Sequence, residues 1–403
     1  MPKLHASCKL FSILGAAAIA ASVAALPASL VAQQPYKIIA QWKIGGDGVW
    51  DYLHADPTAN RLYISRQTHV DVVDTTTGKL VGKVGGMKFI HGIALDSAGK
   101  YGYVTDENGK AVVVFDRKSL AVVKAIDLGT GTPDSILFEP ATKTVWAFDG
   151  PHHTAIVIDT ASLNVVDTVA LPGKPESAAF DGQGLLYDNI ESKNEIVRID
   201  ARSRAITATW PAGCDSPSGI AMDIPGHRLF TVCHGNKMSV LDSETGKVLA
   251  NPEIGQGPDG AGWSDKYQLA FTTTGDGNLS VVNAGAPDYP TIEKVPTPKG
   301  ARTMSYDPVN DRIYTITGET IAPKGFENGP PPPPPHADEQ QPGQQAGQQQ
   351  GPPPGQQGPP PQGQDGQQGP PPPGQQPQSG QNRTPPPMPT VVPGSFTVVV
   401  IGR

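Results

Sequence analysis

Several familiar chemistries are missing from this chain. It has no Gly-x-Ser-x-Gly elbow for a serine nucleophile, no phosphate-cradling glycine loop and no His-Glu-x-x-His zinc helix. Only three of its 403 residues are cysteine, and none stands in a Cys-x-x-Cys-His that would attach haem covalently. There is no excess of basic charge, since 31 Lys and Arg face 38 Asp and Glu. A general attraction to phosphate backbones is therefore excluded, and nucleic acid is not an expected partner. No apolar run reaches the roughly 18 residues of a membrane span. Hydrophobic residues are scarce at 37%, while 46 Gly and 43 Pro stand out. Part of the chain is thus expected to carry no packed core.

The N-terminus reads as a processing segment. Lys3 and Lys9 form a basic start, Ile13 to Leu26 is apolar, and small residues follow to Ala32. This is the pattern of a secretory signal over residues 1–32, cleaved after Ala32 or at the competing Ala28. Export to a periplasm or beyond is expected, with a mature chain that loses two lysines and becomes more acidic still. Cys8 precedes the apolar run, the wrong place for a lipoprotein anchor. The two remaining cysteines, Cys214 and Cys233, fall close together, and an oxidising compartment would permit their disulfide. Two buried free thiols are the alternative.

What the chain does have is a repeat. Short apolar runs closed by an acid or amide end at Asp74, Asp116, Asp159, Asp200, Asp242 and Asn283, every 41 to 43 positions. One unit runs from Ile90 to Leu128 as four short strands rich in Val, Ile and Tyr, broken by Gly, Asp and Asn turns. Repeats of about 40–45 residues with four strands each are the mark of propeller blades. The chain therefore predicts an all-β, seven-bladed propeller over 33–318 and 394–403. The seventh unit breaks after Ile316 and resumes at Phe396, leaving a Pro/Gln/Gly-rich insertion over 319–393. Such a composition cannot bury enough apolar surface to offset its chain entropy, so disorder is expected there. By topology the insertion is a loop beside the channel mouth: a neutral spacer, a lid or a tether. The last unit lacks an outer strand, and Tyr36 to Ile44 lies ahead of the first with no other place. The N-terminal strand is expected to complete the last blade and close the ring.

The units resemble the YVTN family of β-propeller repeats. Tyr103-Val104-Thr105-Asp106 nearly spells the family's second strand, and Thr77-Gly78-Lys79 and Thr245-Gly246-Lys247 match its turn. The resemblance implies the propeller fold and, for many members, export and a binding role. Related seven-bladed propellers include lactonases and haem- or copper-carrying domains. The matching positions are blade residues, so no catalytic residue follows from them.

In a propeller the first strand of each blade lines the central channel, and function must come from a site on that scaffold. Aligning the seven strand starts gives a ring: Asp51, His91, Asp134, Glu176, Ser218, Asp259 and Arg302. Converging carboxylates with a histidine could hold a divalent metal, a cationic ligand or a polyhydroxylated one. A wet channel mouth would also need polar residues there. The loops named for the same face carry Arg66, His69, Asp106, Glu107, His152, His153, Glu191, His234 and Asp276, while His54 and His227 are expected to fill blade or turn positions. The reading is an exported binding or interaction module whose partner is a protein, an envelope component or a small molecule. Its rivals are a metal-assisted hydrolase of lactonase type at the same ring and a structural envelope protein.

Overall fold

The computed structural model describes residues 34–321 and 390–403. The expected signal segment, and the insertion between 322 and 389, lie outside the described residues. The rest forms seven four-stranded antiparallel sheets, each a blade. In blade two the order runs outward from Ile90–Leu95 through Tyr101–Asp106 and Ala111–Asp116 to Val122–Asp127. The two middle strands are buried on both faces and read as near-continuous apolar runs. The outermost strand alternates, with Ile126 inward and Val122 and Val123 in solvent. Apolar clusters fill the gaps between neighbouring blades, such as Trp146 and Phe148 of blade three against Leu186 and Val197 of blade four. Among the described residues no helix is long and apolar enough to cross a membrane.

The recurring acid has a local cause. Oδ1 of Asp74, Asp116, Asp159, Asp200 and Asp242 each accepts the backbone N–H of the Thr or Ser three residues on, at 2.7 Å in every case. These bonds, together with those from the hydroxyls of the same Thr and Ser (the larger cause at Asp159 and Asp242), hold the carboxyls below the usual carboxylate range. The repeat is thus written by turn closure, which each blade needs once.

The ring closes as the sequence implies. Lys37–Lys43 is the outer strand of blade seven and pairs antiparallel with Thr397–Gly402. Three aromatic and ionic contacts seal the join. The Tyr36 hydroxyl donates to Asp311 at 2.8 Å, and the Arg403 guanidinium lies over the rings of Tyr36 and Tyr267 at 4.1 and 4.4 Å. Buried Arg66 pairs with Asp71 at 3.1 Å and donates to the carbonyls of Gly45 and Asp47, pinning the link from this strand into blade one. The roots of the insertion are paired as well. Thr320–Ile321 forms a two-stranded ribbon with Thr390–Val391. Gly318 packs against Trp50, where an added Cβ would come within 2.8 Å of the indole. Cys214 and Cys233 are joined by a disulfide within blade five, their Cα atoms 6.0 Å apart.

Candidate functional site

The ring positions are held by their own carbonyls. Ser65 of blade one donates to the His91 carbonyl, and Thr105 of blade two to that of Asp134 at 2.6 Å. Ser135 donates to the Glu176 carbonyl, Asn189 to Ser218 at 2.5 Å, and Thr273 to Arg302 at 2.8 Å. Five of the seven blades thus hold the strand start of the next, which keeps those ring side chains in register around the channel.

Three of the predicted residues meet in one centre. His91 is 2% exposed and its Nδ1 lies 2.8 Å from Asp51 Oδ2 and 3.6 Å from Asp134 Oδ1. Its Nε2 lies 3.1 Å from Glu107 Oε2, contributed by the loop after the second strand of its own blade. Gly92 permits the approach of blades two and three, because a Cβ there would meet the Asp134 carbonyl at 2.8 Å. Burial alone would lower the pKa of the imidazole. The charge of Asp134 and the hydrogen bonds of Asp51 and Glu107 outweigh it and raise His91 well above its ordinary range. One ligand atom each from Asp51, His91 and Asp134 all lie within 4.8 Å of one another, the spacing a single cation spans.

The other ring members have partners of their own. Glu176 meets Lys174 at 3.1 Å, and Lys174 reaches Glu191 at 2.6 Å. Burial works against the Lys174 charge, but Glu176 and Glu191 prevail and raise its pKa. Asp259 accepts from Thr303 Oγ1 at 2.7 Å and Ser218 Oγ at 3.2 Å, with Arg302 Nε 3.8 Å away. Of the residues named from loops, Glu107 and Glu191 join these centres. His152 instead turns onto Asp149, the last residue of the strand before its loop, at 2.9 Å, and Asp106 caps the backbone N–H groups of Phe89 and Gly109.

Along the inner strands beside the ring lies a cavity of about 510 Å³. It starts at the residues that follow the ring position and runs to the far ends of the inner strands at Ser97, Pro140 and Phe180. Its walls are largely apolar, from Leu53, Ile93, Ile136, Phe138, Ile220 and Met304. Asp259 belongs to both ring and cavity. Tyr52, one position after the ring residue Asp51, lines the cavity too, and the sequence pattern alone did not single it out. Burial raises its pKa well above the ordinary range, and the charges of Asp134, Glu176, Asp51 and Asp259 add to that. A signal for it exists: the position after the ring residue is Gly92, Ser135, Ser177, Gly219, Gly260 and Thr303 in the other blades, all small. His54, expected at a blade or turn position, sits on the inner strand of blade one and lines the cavity. Burial pushes its pKa down to about 4, with Asp56 opposing and Arg117 assisting.

Comparison with known proteins supports the fold and goes little further. No family model matches the chain. A stretch of 149 residues is 26% identical to YncE of Salmonella typhimurium and equally to YncE of Salmonella typhi, both described as uncharacterized. That stretch is 35% of this chain and 42% of those relatives, less than half their length. Among solved structures, hydrazine synthase of Kuenenia stuttgartiensis superposes with a TM-score of 0.57 at 17% identity, over 69% of this chain and 94% of the other. The shared feature is the architecture. This chain is a seven-bladed β-propeller.

Proposed function

We propose that this chain is an exported propeller of YVTN type that works as a binding module, its ligand held in the channel where acidic ring and apolar cavity meet. One observation carries the reading: Asp259 lines a 510 Å³ cavity whose lining also takes in Tyr52 and Ser135, the residues next to Asp51 and Asp134 of the Asp51–His91–Asp134 centre. A concave, mostly apolar pocket with a few convergent polar groups is the usual form of a small-molecule site. Export is supported by the signal pattern in residues 1–32 and by the disulfide, which suits an oxidising compartment. The test is a thermal-shift screen of amines, sugars, envelope-derived peptides and divalent metals on wild type and Asp134→Asn. The reading expects compounds whose stabilisation shrinks in the variant. Equal stabilisation of both proteins by every active compound would overturn it.

A second reading, metal-assisted hydrolysis, is favoured by the surroundings of His91 alone. A neutral His91 would offer Nδ1 to a metal shared with Asp51 and Asp134, while Nε2–H donated to Glu107, which would fix the ring's tautomer and orientation. A metal there would acidify a bound water. Mass-spectrometric metal analysis of untagged protein decides. Near-stoichiometric metal, lost in the His91→Ala, Asp134→Ala double variant, supports this reading; equal or absent metal removes it.

A further inference from the structure

The cavity and the ring are opposite in character, and together they restrict what fits. Around the head of the channel six carboxylates, Asp51, Glu107, Asp134, Glu176, Glu191 and Asp259, face three basic side chains, His91, Lys174 and Arg302, so that even with His91 counted as a cation the acids outnumber them. The balance is negative. The cavity's walls offer aliphatic and aromatic carbon, with no cationic side chain among its lining residues. An anion entering this cavity would lose its hydration against apolar walls and meet a field of its own sign. A purely polar cation would leave the walls unused.

We infer that the ligand of this channel is a small organic cation with an apolar body, the body among Leu53, Ile93, Ile136, Phe138, Ile220 and Met304, the charged head beside Asp259 and Tyr52. This deepens the binding reading above and rests on it. Tyr52 suits the role. It is the one large residue at a position that is otherwise Gly, Ser or Thr, it lines the cavity, and its electron-rich ring can also face a cationic head. Asp259 supplies the charge at the cavity's edge, held in place by Thr303 and Ser218 and shared with Arg302, whose Nε lies 3.8 Å away.

The test uses a matched series of one chain length: octylammonium, octanol and octanoate, with ethylammonium as the headgroup alone, titrated calorimetrically into the untagged protein at pH 7. Octylammonium is expected to bind at least about tenfold more tightly than octanol, from one partly desolvated charge pair. Octanoate should bind most weakly of the three, and ethylammonium more weakly than octylammonium. Asp259→Asn, close to isosteric, should cut the preference for amine over alcohol several-fold. Ser177→Leu, which projects carbon into the cavity from a half-buried wall position, should weaken both octyl ligands. Octanoate binding as well as octylammonium, an amine preference unchanged in Asp259→Asn, or no binding by any octyl compound would overturn the inference. If the octyl series fails while other compounds stabilise wild type more than Asp134→Asn, the binding reading survives and this one falls. If both experiments fail, both fall.

Discussion

His54 offers a clean test of the channel as a partly dry compartment. In the folded protein its pKa is pushed down to about 4, chiefly because burial disfavours the charged form. An unfolded histidine titrates near 6.5. Between those values the unfolded chain binds a proton that the folded chain refuses, so stability from this group is complete above about pH 6.5 and falls as pH drops toward 4. The full difference corresponds to about 3.4 kcal/mol, taken as an upper bound because the ring is only half-buried and borders the cavity. We expect a loss of roughly 1.5 to 3 kcal/mol between pH 7 and pH 4 that is specific to His54. The assay is urea unfolding of wild type and His54→Gln at half-unit steps from pH 4 to 7.5. Other acid-titrating groups are common to both proteins and cancel in the difference. The wild-type penalty should grow as pH falls and level off near pH 4. A difference that is flat across this range would refute the argument that the channel wall desolvates His54.

Other substitutions probe the centre and the closure. His91→Gln leaves three carboxylates around a buried position and should cost about 3–5 kcal/mol, a loss that Asp51→Asn in the same chain partly restores; a double-mutant cycle by denaturant titration measures the coupling. Tyr36→Phe removes the hydroxyl that donates to Asp311 and should cost about 1 kcal/mol, whereas Tyr36→Ala, which also empties a buried site under Arg403, should cost about 3–5. Cys214→Ser opens a loop with a sequence separation of 19 and should lower stability by about 3 kcal/mol, read as a fall in Tm that reduction of wild type reproduces.

Much of the architecture was legible because it repeats. The closing acid at 74, 116, 159, 200 and 242 marks a turn that each blade must make, so its period counted blades and placed the strand starts. The orphan segment before blade one and the missing strand of blade seven then required each other. The ring residues followed from the same register, and Asp51, His91 and Asp134 do converge. What the repeat could not show is whatever departs from it. Glu107 reaches His91 from a loop whose course depends on Asp106 capping its turn. Lys174 precedes its ring residue by two positions and meets Glu191 across the strand, a pairing with no counterpart in other blades. Tyr52 did not stand out in the sequence, and His54 was placed no more finely than a blade or turn position, because alternation alone does not say which side of an inner strand faces an open channel.

The central claim is that ligand is held where ring and cavity meet. The direct measurement is the dissociation constant of the most stabilising compound from the thermal screen in wild type and four single variants, Asp51→Asn, Asp134→Asn, Glu176→Gln and Asp259→Asn. Binding shared among several acids predicts a graded loss, roughly 3- to 30-fold for each variant, with none abolishing it. Five indistinguishable constants would contradict the account.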